Sequence, residues 1–164
     1  MSSRAFESPA ALRLAWAFAA LALAFLLEGC ISMEVPRHFL VIEEGTSEFK
    51  AVSPEEARIW VREFGDSNKG DLSFWSEVLK NDLVKNRGYT LLEEGKAKDG
   101  DGDGGLELVF EVTVGGAAQR YLVDLFVLEG WLSNTIVVVE FVAPKEVFEK
   151  DLEGVRKAVA TLDP

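Results

Sequence analysis

The strongest constraint on the fold comes from three apolar runs that lie close together in the second half of the chain. Residues 106–114 alternate apolar and polar side chains, the period that puts one set on a single face of a β-strand. The apolar set is Leu106, Leu108, Phe110, Val112 and Val114. Residues 119–128 and 134–143 are further strand-like runs, and the pair Gly115-Gly116 is typical of a hairpin turn. These runs predict antiparallel strands with short connections.

Weaker patterns predict the other elements. Residues 38–44, 48–52 and 89–94 are predicted strands. Asp71 is placed to cap a helix that ends at Gly88, with an apolar stripe of Leu72, Trp75, Leu79 and Leu83. Pro144 opens a second helix, whose continuous stripe is Phe148, Leu152, Val155, Val159 and Leu162.

One segment, residues 57–64, has two interpretations. Ser53 and Glu56 have the spacing of a capping box, and an apolar stripe at helical spacing follows: Ala57, Trp60, Val61 and Phe64. The run RIWVREF is rich in β-branched and aromatic residues, however, and SPEE is also a turn sequence. We interpret residues 58–64 as a strand.

The predicted order is β-β-β-α-β-β-β-β-α. Runs of hairpin-linked strands with two amphipathic helices indicate an α+β fold, in which the helices cover an antiparallel sheet of about six to seven strands. Residues 38–164 have the length of a single domain, and no repeat is evident.

The N-terminus has the layout of a secretory signal. Arg4 and Arg13 precede an unbroken apolar run of fourteen residues, 14–27, which ends at LEGC. As a helix this run would rise about 21 Å, short of the roughly 30 Å hydrocarbon core of a bilayer. A cleaved signal is therefore favoured over the alternative, an uncleaved N-terminal anchor.

The sequence LEGC resembles the lipobox of bacterial lipoproteins and contains the only cysteine, Cys30. The resemblance implies that residues 1–29 are a signal peptide, that the Cys30 thiol is lipidated, and that residues 30–37 form a lipidated tether. Glu28 departs from the pattern, because the family favours small uncharged residues there. Ile31 is not the aspartate that the family associates with inner-membrane retention. We therefore expect a lipid anchor in the bacterial envelope, with the periplasmic leaflet of the outer membrane favoured.

The late hairpins and the closing segment EFVAPKEVFEKDLEGVRKAVATL resemble the PsbP/Mog1-like fold, including DcrB-type bacterial lipoproteins. The family's opening strands favour a strand at residues 58–64. Family members are mostly non-enzymatic binding or assembly factors, so the resemblance implies an accessory role. It transfers no functional residue.

The acidic balance of the chain bears on its partners. The formal net charge is −11, which repels nucleic acid and anionic headgroups. We therefore expect no nucleic-acid partner, and we expect a protein partner in the envelope.

The most suggestive polar motif is DGDGDGG, residues 99–105. Asp99, Asp101 and Asp103 occupy positions 1, 3 and 5 of an EF-hand loop, but position 12 is Phe110 instead of glutamate. A flexible acidic turn is the favoured interpretation, with weak Ca²⁺ binding as the alternative; no other cofactor is expected.

Few other residues suggest chemistry. His38 is a lone histidine, which builds neither a zinc site nor a catalytic triad with a recognisable nucleophile. Trp131 lies in a predicted loop and is the candidate partner contact, because interface hot spots favour tryptophan. The sequence thus predicts a lipid-anchored, non-catalytic interaction or assembly module. The alternative is a small-ligand or Ca²⁺-binding lipoprotein, and a hydrolytic enzyme is the least favoured class.

Overall fold

The alternating runs pair into one antiparallel sheet. The computed structural model describes residues 30–164, so the predicted signal peptide lies outside the described residues. In space the strands follow the order β1-β2-β3-β7-β6-β5-β4, and all neighbours are antiparallel. The strands are β1 (Leu40–Glu44), β2 (Glu48–Val52), β3 (Arg58–Asp66), β4 (Thr90–Lys98), β5 (Gly104–Val114), β6 (Ala117–Leu128) and β7 (Asn134–Pro144).

Two helices complete the fold and confirm the predicted α+β class. Helix α1 (Leu72–Lys80) continues as a π-helical segment (Asn81–Asn86), and helix α2 (Lys145–Val159) closes the chain. The Asp71 carboxylate accepts a hydrogen bond from the Phe74 N–H at 2.7 Å, which caps α1 as predicted. None of the helices in residues 30–164 is long and apolar enough to cross a membrane.

Alternation along β7 divides the core into two layers. Val137, Val139 and Phe141 are buried on the face that α2 covers. Ile136 and Val138 are buried on the opposite face, against the helix that starts at Leu72. Because successive side chains of a strand point to opposite faces, one strand contributes to both layers.

The ambiguous segment is a strand, as predicted. Ile59 and Val61 are buried on the α2 side, and β3 pairs with β7 along its length and with β2 over residues 58–62. The capping box does not start a helix. Instead, the Ser53 hydroxyl accepts from the Ala57 N–H at 3.3 Å, and Glu56 adopts a φ of 67°, so SPEE forms a turn.

The segment expected to be a free tether packs against the sheet. Ile31 is fully buried and Met33 nearly so, and both belong to the core under α2. Ser32 forms an isolated antiparallel bridge with Asp163. Residues 31–33 therefore do not form a free tether, because burial of the Ile31 and Met33 side chains holds them on the domain.

Candidate functional site

Cys30 is exposed at one end of the sheet. The next residue, Ile31, donates its backbone N–H to the Gly45 carbonyl in the β1–β2 turn at 2.9 Å. Strand registers place that turn, the β4–β5 loop and the β6–β7 loop at the same end of the sheet. Cys30 and Trp131, two residues singled out by the sequence, therefore lie at a common end.

The three aspartates of the acidic motif form the β4–β5 loop. The Asp99 side chain is buried, and its carboxylate accepts a hydrogen bond from the Asp103 N–H at 2.7 Å. Asp101 and Asp103 are exposed. Within residues 30–164, no group of three or more His, Cys, Asp or Glu side chains is arranged to hold a metal ion. Asp99 thus closes a hairpin turn, and Ca²⁺ binding by this loop stays a prediction.

Trp131 is 90% exposed and its neighbour Leu132 is 76% exposed. The loop that carries them is held in place by Lys69, whose ammonium donates to the carbonyls of Gly130 (2.9 Å) and Trp131 (2.7 Å). An ordered loop loses little conformational entropy when it binds, so its exposed side chains are suited to recognition.

The start of α1 adds a third apolar side chain at this end. Asn134 donates to the Gly70 carbonyl at 3.3 Å, which joins the β6–β7 loop to the chain entering α1. Phe74, in the first turn of α1, is 55% exposed. We call Phe74, Trp131 and Leu132 the Trp131 surface.

Asp66 holds the loop between β3 and α1. Its carboxylate accepts hydrogen bonds from the backbone N–H groups of Gly70 (2.7 Å) and Asn68 (2.9 Å) and from the Trp75 indole N–H (3.0 Å). The Gly70 N–H is the main cause of the lowered pKa of Asp66, since each donor stabilises the carboxylate. This ionised side chain fixes the loop that borders the Trp131 surface.

A second candidate site lies on the sheet face that α1 covers only in part. Beyond the helix, the surface of β1, β2, β3 and the end of β7 stays open. A cavity of about 580 Å³ lies there, which we call the cation–aromatic groove. Its lining residues include Lys50, Arg58, Trp60, Arg87, Tyr121 and Glu140.

Basic groups in the groove are arranged around Trp60. The Lys50 ammonium lies 5.0 Å and the Arg62 guanidinium 4.4 Å from the ring centroid of Trp60, within cation–π range. Lys50 is paired with Glu43 at 2.8 Å, and the hydrogen bonds that Lys50 donates to Glu43 and Glu48 raise the pKa of Lys50. Glu48 also accepts from Lys50, at 2.9 Å.

Glu140, the acid that lines the groove, is already partnered. Its carboxylate accepts from Arg62 at 2.8 Å and from the Tyr121 hydroxyl. Burial, reinforced by the charge of Glu140, raises the pKa of Tyr121, so its hydroxyl stays protonated. Arg58, by contrast, forms no ion pair with any residue in 30–164.

The sequence interpretation did not identify this groove. Arg58, Trp60 and Arg62 alternate with Ile59 and Val61, so the period of a strand already placed them on one face. The types of these side chains bear on the choice between helix and strand. That choice carries no information about which part of the sheet α1 leaves open.

A buried acid lies on the opposite face. Asp124 is 1% exposed, and its Oδ1 has no hydrogen-bond partner among residues 30–164. It pairs across the strands with Glu107, which binds the Arg156 guanidinium through two hydrogen bonds of 3.0 and 2.7 Å. Burial raises the pKa of Asp124 well above its ordinary value, and the nearby Glu107 charge adds to the effect. Asp124 lies on the same face of β6 as buried Leu122 and Phe126, a pattern that the period of a strand already contains.

This burial predicts a pH-dependent gain in stability for Asp124→Asn. The native state keeps the Asp124 proton that the unfolded chain loses above about pH 3.9. The free energy of unfolding therefore falls as pH rises from that value towards the raised pKa, by up to about 1.4 kcal/mol per pH unit. Asn does not ionise, so urea unfolding of Asp124→Asn is expected to lack this fall. The exposed control Asp101→Asn should keep the wild-type pH profile; identical profiles for Asp124→Asn and wild type would contradict the prediction.

His38 is held by a structural contact. Its Nε2 lies 3.1 Å from an Asp151 carboxylate oxygen, and the Asp151 side chain is buried. The pair joins the segment before β1 to helix α2.

Comparisons with known proteins bear on the fold. No protein-family model and no curated protein matches this chain. Among solved structures, LpqN of Mycobacterium tuberculosis is similar with a TM-score of 0.60 and 16% identity, over 82% of this chain and 83% of LpqN. The chain has the fold of LpqN.

Mog1 structures share this fold. The Ran-binding protein Mog1p of Saccharomyces cerevisiae aligns with a TM-score of 0.51 and 15% identity, over 82% of this chain and 86% of Mog1p. A Mog1 variant aligns with a TM-score of 0.54 and 15% identity, over 84% of this chain and 92% of its own. These alignments and that of LpqN fit the Mog1-like fold expected from the closing strand and helix.

Proposed function

We propose that this protein is a lipid-anchored, non-catalytic interaction module of the bacterial cell envelope. It binds a protein partner through the Trp131 surface. The observation that carries the proposal is the 90% exposure of Trp131 on a loop that Lys69 holds in place. Tryptophan is enriched among the side chains that dominate interface energies. Transfer of an exposed indole from water into an interface is favourable, and the ordered loop already holds it in place.

The proteins of similar fold support such a role. LpqN is described as involved in cell envelope biogenesis, and Mog1p as a Ran-binding protein. The first description names the cell envelope and the second names a binding role. The proposal of such a role for this chain rests on the shared fold and on the lipobox resemblance at Cys30.

A non-catalytic role is supported by the state of the reactive side chains. His38 lies against Asp151, and the proposed modification uses the thiol of Cys30. Glu107 is engaged by Arg156, so the cross-strand pair of Glu107 and Asp124 lacks two free carboxyl groups for acid–base chemistry.

The common location of Cys30 and Trp131 supports a partner site close to the membrane. Because Ile31 is buried, only Cys30 itself separates the proposed acyl chains from the domain. The Trp131 end of the sheet then faces the membrane, and the partner is bound at the membrane surface. Ile31 at the second position supports the periplasmic leaflet of the outer membrane as the location.

Lipidation is tested by the intact mass of the protein extracted from membranes, with Cys30→Ser as the comparison. We expect the wild-type chain to begin at Cys30 and to carry added acyl mass that the variant lacks. Acyl chains contribute about 0.8 kcal/mol per buried CH₂, so loss of lipid should also release a processed chain from the membrane. An unmodified wild-type chain that retains Met1 would contradict the lipid anchor.

The protein contact is tested by placing a photo-crosslinking amino acid at Trp131 in cells. The matched control position is Leu40, an exposed apolar residue (67%) at the opposite end of the sheet. We expect a discrete crosslinked protein from position 131 that is absent from position 40. Competition by Trp131→Ala protein should be weaker than by wild type. Equal products at both positions would refute a specific contact at the Trp131 surface.

A further inference from the structure

We propose that the cation–aromatic groove is a binding site for an amphipathic anion, a carboxylate or phosphate group attached to an apolar chain. This site is separate from the protein contact at the Trp131 surface, and it does not require the lipid at Cys30. Its strongest support is the presence of an unpaired cation, aromatic rings and apolar walls in one cavity of a chain with a net charge of −11.

The charge of the groove selects for an anion. Three basic residues, Lys50, Arg58 and Arg87, line the cavity, against one acid, Glu140. Glu140 is neutralised by Arg62, and Arg87 is paired with Asp82 at 2.7 Å. Arg58 is the lining cation without an acidic partner in residues 30–164.

Arg58 is suited to bind the head group of the ligand. A guanidinium presents several N–H donors in a planar fork that fits a carboxylate or a phosphate through two hydrogen bonds. The residue is exposed, so its donors are accessible from solvent. Lys50 and Arg62 flank Trp60, both within 5.0 Å of its ring centroid, but each is paired with an acid, so Arg58 supplies the free positive charge.

The remaining walls select for an apolar body. Ile42, Val52 and Val142 line the cavity together with the rings of Trp60 and Tyr121. Ile42 is 58% exposed, so this apolar surface is left in contact with water by the fold itself. A volume of about 580 Å³ is within the range of small-ligand sites, and such sites combine apolar walls with a few polar groups.

The proposal is tested by titration of residues 30–164 carrying Cys30→Ser. Every described strand, helix and core residue lies in this part of the chain, and a cooperative urea transition establishes that it is folded. The probes are octanoate and octyl phosphate below their micelle concentrations. The neutral probe 1-octanol has the same chain without charge, and acetate and inorganic phosphate carry the charge without the chain.

Calorimetry and the indole N–H signals in ¹H–¹⁵N NMR spectra report on binding. We expect both octyl anions to saturate one site and to shift the signal of Trp60, with the signals of Trp75 and Trp131 unchanged. The neutral and short probes should bind at least about tenfold more weakly. Arg58→Gln should weaken octyl-anion binding about tenfold or more, because it removes the charged donor. Arg37→Gln, the same change at an exposed arginine before β1, should leave binding unchanged.

Three results would overturn the inference. Absence of saturable binding by either octyl anion excludes the site. Equal affinity for 1-octanol and octanoate excludes a role for the charge. Equal loss of affinity in Arg58→Gln and Arg37→Gln would mean that general electrostatics, and not the groove, attracts the anion. Each of these outcomes leaves the proposed Trp131 contact unaffected, whereas failure of the crosslinking experiment leaves the groove unaffected.

Discussion

Phe141→Ala is expected to lower the free energy of unfolding by about 3–5 kcal/mol, the usual cost of emptying a buried phenylalanine site. Phe141 is fully buried in β7 and stacks on Phe148 of α2, with ring centroids 4.9 Å apart and planes at 15°. Phe39 packs against it edge-on at 6.5 Å. The ring thus joins the central strand, the closing helix and the segment before β1. A small domain has about 5–15 kcal/mol of stability in all, so the loss is large.

The measurement is urea unfolding of residues 30–164 monitored by circular dichroism. Phe74→Ala is the matched control, because the same atoms are removed from a side chain that is 55% exposed. We expect its effect to be well under half that of Phe141→Ala. Similar losses in the two variants would mean that Phe141 does not hold the layers together as described.

Ile31→Ala is expected to cost about 2–5 kcal/mol, although the residue directly follows the proposed lipidation site. Ile31 is fully buried in the core under α2, and its N–H is hydrogen-bonded to the Gly45 carbonyl at 2.9 Å. The substitution keeps the backbone hydrogen bond and leaves a cavity where the side chain was. The loss of stability therefore reports on side-chain burial at this position.

The control for Ile31→Ala is Leu40→Ala, which shortens an aliphatic side chain that is 67% exposed. Its expected effect is within about 0.5 kcal/mol. Urea unfolding of both variants distinguishes a packed N-terminal segment from a free tether. If Ile31→Ala were as mild as Leu40→Ala, residues 31–33 would behave as free chain, and the domain would stand further from the membrane than we propose.

Local patterns were sufficient for much of the fold. The alternation in β5 and the glycine pair after it determine a strand and a hairpin, since side-chain period and turn geometry depend on neighbouring residues alone. The same holds for the start of α1, where Asp71 caps the N–H of Phe74. In contrast, the sequence of β3 also fits a helix. Its strand conformation depends on pairing with β2 and β7, which lie outside the segment.

The sequence by itself determined the strands other than β3, the helices, the acidic balance and the two residues, Cys30 and Trp131, on which the proposed function rests. Only the tertiary structure decided what these elements leave exposed. The length of α1 and its position over β5–β7 leave Trp60 and Arg58 in an open groove, while the same face of β6 is buried. The packing of Ile31 is likewise a tertiary result. Burial depends on which surfaces are covered by segments that are distant in the sequence. A local pattern of apolar and polar residues does not say which segments these are.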